Sequence, residues 1–157
     1  MSISKVREYL KTYNADERII ELSQSSATVE LAAQALGCEG KRIAKTLSFA
    51  VGDGAILVVA AGDAKIDNHS FKETFGVKAK MLSFDEVEEK TGHAVGGVCP
   101  FAVNDGVKVY LDESLKRFET VFPACGSSNS AIELTLPELE IFSRFEAWVD
   151  VCKAWRE

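Results

Sequence analysis

The stretch that decides the fold is IAKTLSFAVGDGAILVVAA, residues 43–61. Residues 43–51 alternate between apolar and polar side chains well enough for a strand, and residues 55–61 are nearly all apolar. The Gly52-Asp53-Gly54 segment between them is typical of a tight turn. The sequence therefore predicts a β-hairpin over this stretch.

One lysine stands out in the first strand of this hairpin. Because side chains alternate along a strand, Ile43, Lys45, Leu47 and Phe49 share one face, which places the lysine among large apolar neighbours. Desolvation there would lower the pKa of the Lys45 amine and concentrate its charge on an anion brought into the site. The alternative is a lysine at a strand edge that extends its amine into water.

Helices and further strands are predicted on both sides of the hairpin. Helical spacing and end signals indicate helices over residues 4–13, 28–36, 68–75, 84–90 and 138–142, with Ser26 or Thr28 as the cap of the second. Further strands are indicated over residues 78–82, 107–111, 119–122, 131–136 and 148–152. With about seven strands, many joined as hairpins, we expect a single α+β domain over residues 1–157 with a largely antiparallel or mixed sheet.

The composition is that of one ordinary globular domain, with 157 residues, 46% of them hydrophobic and 27% charged. The N-terminus carries charges where a signal peptide needs an apolar core, and no apolar run is long enough to span a bilayer. We therefore expect a cytoplasmic protein with no membrane partner. The four cysteines and two histidines form no zinc or thioredoxin motif, so we expect free thiols and no metal.

The charge distribution limits which kinds of molecule the protein is expected to bind. A formal net charge of −6 argues against broad binding along a nucleic-acid backbone, which needs many phosphate contacts. Basic residues nevertheless gather in the middle of the chain, at Lys41, Arg42, Lys45, Lys65, Lys72, Lys78 and Lys80. This asymmetry suits a domain that grips only the end of a polyanion.

Glycines and a proline interrupt an apolar stretch at GHAVGGVCPF, residues 92–101, called the pocket loop below. Glycine lets the backbone approach a neighbour closely or adopt dihedral angles that a Cβ forbids. Successive N–H groups can then point into one concavity that suits a carboxylate, a phosphate or a developing oxyanion. We interpret this loop as the floor of a pocket, and a barrel corner or bulge without a ligand explains the same residues equally well.

A second candidate loop consists of small polar residues, Gly126-Ser127-Ser128-Asn129, and is called the second loop below. Neither serine lies in a Gly-x-Ser-x-Gly elbow, and no glycine-rich fingerprint follows a strand and opens a helix. Backbone donors, a lysine and hydroxyls without an evident nucleophile suit hydrolysis of an already reactive ester, attacked by water or by a substrate hydroxyl. One well-placed oxyanion donor is worth about 3–4 kcal/mol, so the amides of Gly96 and Gly97 could supply much of the catalysis.

Three other residues have two interpretations each. His93 either lines the pocket or is an ordinary hydrogen-bonded histidine. Cys99 and Cys125 are nucleophiles only if a cation lowers the thiol pKa, and no local base accompanies either of them. The sequence favours inert thiols over a thiol enzyme.

Three segments of the chain carry a family resemblance. They are residues 44–47 (AKTL), residues 92–100 (GHAVGGVCP), and residues 125–129 (CGSSN) followed by Ile132-Glu133-Leu134 and Pro137-Glu138-Leu139. Together, in this order and over nearly the whole chain, they resemble the YbaK / prolyl-tRNA-synthetase-associated editing domain family. The resemblance implies a compact fold around a mixed, barrel-like sheet. It also implies a trans-acting deacylase that clears tRNA(Pro) mischarged with a smaller amino acid such as alanine or cysteine.

The resemblance also implies roles for residues. Lys45 would hold the terminal adenosine or its phosphate, with Gly96 and Gly97 offering backbone donors as the other catalytic groups. The implied substrate contacts are Thr46, His93, Pro100, Gly126, Ser127, Ser128 and Asn129. No cofactor is implied, and the implied partners are the acceptor end of tRNA(Pro) and prolyl-tRNA synthetase.

The cleared amino acid stays open at this point. The threonine at position 46 resembles the residue found there in the cysteine-clearing branch of the family, whereas the alanine-clearing branch typically has asparagine at this position. The second loop departs from the cysteine branch, which is more basic at these positions, so cysteine, alanine and 2-aminobutyrate all stay candidates. A non-catalytic module that recruits tRNA or a synthetase is the alternative function.

Overall fold

The computed structural model describes residues 2–23, 25 and 28–156. In these residues the helices are α1 (Ser2–Lys11), α2 (Val29–Leu36), α3 (Asn68–Phe75), α4 (Phe84–Thr91) and α5 (Leu136–Ser143). The strands are β1 (Ile20–Glu21), β2 (Ile43–Val51), β3 (Gly54–Ala61), β4 (Lys65–Ile66), β5 (Lys108–Asp112), β6 (Thr120–Pro123), β7 (Ser130–Ala131), β8 (Leu134–Thr135), β9 (Ala147–Val149) and β10 (Cys152–Lys153). None of the helices described is long and apolar enough to cross a membrane.

A six-stranded mixed sheet, in the order β8-β6-β2-β3-β5-β9, organises the domain and curls into a half-barrel. The pairs β2–β3 and β6–β8 are antiparallel, whereas β2–β6, β3–β5 and β5–β9 are parallel. Two short antiparallel ribbons, β1–β7 and β4–β10, lie beside it. The predicted α+β fold with a mixed, barrel-like sheet is confirmed.

The predicted hairpin forms the centre of this sheet. Its register pairs Val51 with Gly54 at the turn and Ala44 with Ala61 at the far end. Gly52 has φ +58°, a left-handed conformation that glycine adopts without steric cost. Both strands therefore begin and end close to where the alternating and apolar patterns predicted.

The expectation of many hairpins was wrong. Three of the five strand contacts in the main sheet are parallel, and parallel neighbours need crossover connections instead of tight turns. The chain from β3 to β5 runs through β4, α3 and α4. Turn-forming residues mark where a strand ends, but they do not show which strand it will pair with.

Three of the predicted strands also differ in detail. The segment over residues 78–82 forms a single bridge, between Met81 and Phe49, and not a full strand. The segment over 131–136 divides between β7 and β8, and the segment over 148–152 divides between β9 and β10. Each division lets one short stretch serve two sheets, which local propensity alone does not reveal.

The predicted end signals of α2 and α4 are confirmed, whereas α1 begins and ends two residues earlier than predicted and α5 begins two residues earlier. The Oγ1 of Thr28 accepts a hydrogen bond from the N–H of Leu31 at 3.1 Å, and α2 ends at Gly37 in a left-handed conformation. The alternative cap, Ser26, lies outside the described residues. A capping box at Ser83 and Glu86 opens α4, as predicted, and Gly92 ends it.

An aromatic column fixes α3 against the sheet. The ring centroids of Phe49 and Phe71 are 4.7 Å apart, those of Phe71 and Phe75 are 4.7 Å apart, and those of Phe75 and Tyr110 are 4.9 Å apart. Such tilted and edge-to-face pairs add to the stabilisation that the rings gain by burial. The column therefore ties α3 to both β2 and β5.

Glu138 provides a test of how α5 is held. In its capping box Oε1 accepts the N–H of Thr135 at 3.0 Å, and Arg18 donates to both carboxylate oxygens at 2.6 and 3.0 Å. Hydrogen bonding from Arg18 is the main reason that the pKa of Glu138 falls from 4.5 to about 2. The stabilisation is therefore present above pH 4.5 and is lost as pH falls towards 2.

We predict that Glu138→Gln lowers the free energy of unfolding by about 1 kcal/mol at neutral pH, a value reduced by solvent screening of this partly exposed pair. The difference in free energy of unfolding between the variant and the unsubstituted protein should decrease as pH falls from 4.5 towards 2, as measured by urea unfolding. Glu146→Gln is the control, because Glu146 is exposed and makes no ion pair in the described part of the chain. A difference in free energy of unfolding that stays constant with pH would contradict the stabilising role of the Glu138 carboxylate.

Candidate functional site

A cavity of about 510 Å³ opens along the outer edge of β2. Much of its lining is apolar, with contributions from Val29, Ile43, Met81, Phe84, Val95 and Phe122. Its polar lining residues are Thr28, Lys45, Thr46, Ser48 and Ser130. An apolar hollow of this size with a few converging polar groups is the usual form of a small-ligand site.

The cavity exists because the neighbours of β2 cover only its two ends. β6 pairs with Ile43 and Ala44 and goes no further along β2. At the other end, the N–H of Ala50 donates to the carbonyl of Lys80 at 2.8 Å, and the N–H of Leu82 donates to the carbonyl of Ser48 at 3.1 Å. Residues 45–47 lie in the gap between these two neighbours.

Lys45 lies half-buried in this gap. Its Nζ donates hydrogen bonds to the carbonyl of Ala64 and, at 3.4 Å, to the carbonyl of Gly62. Burial lowers the pKa of the Lys45 amine, because the charged form loses solvation. Within the described residues no carboxylate forms an ion pair with this amine, whose hydrogen bonds go to neutral carbonyls, while Asp63 and Glu30 attract its charge only from a longer distance.

The pocket loop meets the second loop backbone to backbone. A Cβ added at Gly97 would lie 2.8 Å from the carbonyl carbon and oxygen of Gly126 and 2.9 Å from the nitrogen of Ser127. Gly96 lines the cavity with φ +89°. Gly97 is therefore needed for a close approach, and the two loops predicted to flank one pocket do lie against each other.

The expected oxyanion donor at Gly97 needs a correction. Its N–H donates to the carbonyl of Ala94 at 3.0 Å and so closes a turn within the pocket loop. An amide already used in this way cannot also point at a substrate. For Gly96, no hydrogen bond from its N–H is found within the described part of the chain.

The polar side chains of the second loop mostly form hydrogen bonds within the loop or to the segments beside it. Ser127 shares a hydrogen bond with Ser130, with the two Oγ atoms 2.6 Å apart. Asn129 ties the loop to the segment after β1, because its Nδ2 donates to the carbonyl of Leu22 at 3.0 Å and its carbonyl accepts the Leu22 N–H at 2.6 Å. Ser128 is exposed, and Gly126 is buried with φ +94°.

Two residues that the sequence did not single out line the cavity in this region. They are Ser130, one position after the second loop, and Ser48, on β2. The same polar run in the sequence signalled Ser130, whereas nothing local distinguished Ser48. The cavity wall therefore begins just beyond the four residues that were predicted to form it.

His93 and Pro100, which were predicted to contact a substrate, are not among the residues that line this cavity. His93 is fully buried, its Nε2 donates to the carbonyl of Phe101 at 2.7 Å, and burial lowers its pKa. Pro100 lines a separate hollow of about 190 Å³ together with Tyr9. The hydrogen bond from His93 to Phe101 therefore stabilises the pocket loop internally.

The cysteines are not activated. Burial raises the pKa of the Cys99 thiol to about 12 and that of Cys125 well above its ordinary value. Burial also raises the pKa of Cys38 and Cys152. A neutral thiol is a poor nucleophile, so the thiol-enzyme interpretation loses its physical basis. Among the described residues, no group of histidine, cysteine and carboxylate side chains is arranged to hold a metal ion.

Comparison with known proteins gives concordant findings. The model of the aminoacyl-tRNA editing domain family matches residues 23–142. The uncharacterized protein YwhH of Bacillus subtilis is 58% identical over 156 residues, with 99% of each chain covered. A proline–tRNA ligase of Thermosipho melanesiensis is 27% identical over 144 residues, which cover 90% of this chain and 25% of the ligase. A solved structure of a candidate trans-editing enzyme for prolyl tRNA synthetase has a TM-score of 0.86 at 31% identity, with 97% of both chains covered.

The contact between the two loops gives a direct test. We predict that Gly97→Ala lowers the free energy of unfolding by about 1–3 kcal/mol, because the new methyl group would overlap backbone atoms that cannot move independently. Gly54→Ala is the control, since its Cβ would meet only the carbonyl of Val51 at an ordinary 3.8 Å. Thermal unfolding of the two variants measures the difference, and equal melting temperatures would contradict the close approach.

Proposed function

The chain belongs to the aminoacyl-tRNA editing domain family, and from this premise we propose that it is a trans-acting deacylase that hydrolyses the ester bond of mischarged aminoacyl-tRNA. The proposed substrates are Cys-tRNA(Pro) and Ala-tRNA(Pro), with the 2-aminobutyryl ester as a third candidate. The proposed partners are the acceptor end of tRNA(Pro) and prolyl-tRNA synthetase, which would place the protein in the cytoplasm. The observation that carries the proposal is the cavity that joins a half-buried lysine without a carboxylate partner, among the described residues, to an apolar wall.

Lys45 is the proposed anchor for the tRNA end. A phosphate oxygen offers its amine a stronger partner than the two neutral carbonyls that it now contacts, because an attraction between two full charges is added to the hydrogen bond. The surroundings of the amine are partly desolvated, which strengthens the attraction further. The acidic chain would then bind its polyanionic partner through one local contact.

The apolar wall is the proposed site for the side chain of the mischarged amino acid. Adding or removing one methylene group in such a pocket changes the binding free energy by about 1–3 kcal/mol. A few wall residues can therefore discriminate among alanyl, cysteinyl and 2-aminobutyryl esters. The wall includes Val29 of α2, Ile43 of β2 and Phe122 of β6. The apolar wall is therefore proposed to select the substrate by how well its side chain packs against these residues.

The proposed reaction needs no nucleophile from the protein. Water adds to the ester carbonyl, the former carbonyl oxygen carries the negative charge of the tetrahedral intermediate, and the ribose oxygen leaves with a proton. The products are the free amino acid and uncharged tRNA. The protein contributes position and electrostatic stabilisation, and these two effects are sufficient for a substrate that is already reactive.

The alternative is a module that binds the tRNA end or a synthetase without hydrolysis. The observation in its favour is the Gly97 N–H, which is bonded to the carbonyl of Ala94 and not free to stabilise an oxyanion. The two functions differ in one measurable respect, which is release of the amino acid.

We predict that the purified protein releases the amino acid from Ala-tRNA(Pro) or Cys-tRNA(Pro) faster than buffer does, and leaves Pro-tRNA(Pro) largely intact. Proline is bulkier than alanine or cysteine and should fit the apolar wall less well. Release of radiolabelled amino acid from each charged tRNA is the measurement. Binding of the charged tRNA without accelerated release from any of them would favour the non-catalytic module.

We predict that Lys45→Ala lowers kcat/KM about a hundredfold, equivalent to ~2.7 kcal/mol, through loss of one charged anchor. The melting temperature should change little, because the two carbonyls that the amine now contacts can bind water instead. Lys108→Ala is the matched control, since it removes an exposed lysine of β5 that does not line the cavity. A Lys45→Ala variant that unfolds would instead assign the lysine a structural role.

A further inference from the structure

The main-chain N–H and C=O groups of Thr46, on β2, point towards the cavity. In an antiparallel pair, the N–H and C=O groups of successive residues point alternately towards the partner strand and away from it. Ser48 and Ala50 use these groups to bond Leu82 and Lys80, on the side away from β3. Thr46 belongs to the same alternating set, so its N–H and C=O also point away from β3 and into the gap.

No neighbouring segment in the described part of the chain reaches these two groups. β6 pairs with β2 only as far as Ala44 and Pro123, and the bridge on the other side joins Phe49 to Met81. Among the described residues, no loop forms a hydrogen bond with the N–H or C=O of Thr46, and its buried Oγ1 also has no partner. Main-chain polar groups inside a protein are nearly always paired, so a donor and an acceptor that no described residue pairs, on one cavity-lining residue, indicate a place for a ligand.

We infer that the main chain of Thr46 binds the aminoacyl group of the substrate as a one-residue addition to the edge of the sheet. This inference rests on the proposed deacylase function and specifies how that site holds its substrate. The α-ammonium group donates to the C=O of Thr46, and the ester carbonyl oxygen accepts the N–H of Thr46. An α-amino acid ester carries donor and acceptor in the relation that two directly opposed residues of an antiparallel pair use.

This arrangement gives Thr46 a part in the chemistry. Its N–H would donate to the oxygen that becomes negatively charged in the tetrahedral intermediate, a role that the Gly97 N–H, bonded to Ala94, does not fill. A donor in that position accelerates acyl transfer about a hundredfold to a thousandfold. The site would thus obtain an oxyanion donor from a strand edge, in addition to the donor predicted at Gly96.

The same pairing predicts where the substrate side chain lies. Directly opposed residues of a β-ladder present their side chains on the same face, so the aminoacyl side chain would lie beside the side chain of Thr46. Substrate recognition would also require a free α-amino group. An α-hydroxyacyl ester, with a weaker and uncharged donor, would be a poorer substrate than the matching α-aminoacyl ester.

The test replaces one backbone N–H at a time. Incorporating (2S,3R)-2,3-dihydroxybutanoic acid at position 46 keeps the threonine side chain and converts the amide between residues 45 and 46 into an ester, which has no N–H. The matched control incorporates lactic acid at position 50, where it removes the Ala50 N–H that bonds the carbonyl of Lys80. Both replacements weaken the preceding carbonyl equally, so the difference between them isolates the position of the lost donor.

The ester at position 46 should lower kcat for deacylation of the best substrate at least about thirtyfold, with little change in melting temperature. The ester at position 50 should lower the melting temperature and leave kcat unchanged. A second readout is the Kd of 3′-alanylamino-3′-deoxyadenosine, a non-hydrolysable mimic of the charged end, which the ester at position 46 alone should raise. Unchanged kcat and Kd at position 46 would overturn the inference.

The two readouts separate this inference from the proposed function. If the unsubstituted protein releases no amino acid, the deacylase proposal fails, while the binding measurement still decides whether Thr46 holds an aminoacyl group. If the unsubstituted protein is active and the ester at position 46 is equally active and binds the mimic equally well, the inference alone fails.

Discussion

The antiparallel register between β2 and β3 is the constraint on which the candidate site depends. Pairing Lys45 with Ala60 and Leu47 with Val58 commits the main chain of these β2 residues to β3. Thr46, which lies between them, then faces the outer edge. Since β6 covers one end of that edge and residues 80–82 cover the other, the cavity is the part of the sheet edge that no described strand occupies. An exposed strand edge is normally a liability, and here it is enclosed within a hollow.

A second constraint is the backbone contact between the pocket loop and the second loop. Gly97 lets the two loops approach within distances that a side chain would prevent, and the hydrogen bond from the buried His93 to the carbonyl of Phe101 joins the two ends of the pocket loop. Much of the polarity of these loops is used internally, by the turn at Gly97 and by the hydrogen bonds of Ser127 and Asn129. The pocket loop therefore contributes part of the cavity wall, and the second loop packs against it from outside the lining.

The electrostatics of the site are local. The chain has a formal net charge of −6, but the carboxylates of Glu138 and Asp63 are paired with Arg18 and Arg117. Lys45 has no such partner within the described residues and is desolvated at the cavity. One unneutralised positive charge in a partly buried hollow can select the end of a polyanion even when the rest of the surface would repel its length.

The sequence by itself determined the hairpin over residues 43–61, the caps of α2 and α4, the α+β class and the place of Lys45, because each depends on side-chain alternation or on residues a few positions apart. It also pointed to the two loops that lie together. Only the tertiary structure decided which groups of those loops face the cavity. It placed Ser130 and Ser48 in the lining, His93 and Pro100 outside it, and the Gly97 N–H in a turn. The parallel neighbours of β2 and β3, and hence the edge at Thr46 that no described strand pairs, come from pairings between residues about fifty or more positions apart, and no local pattern encodes such pairings.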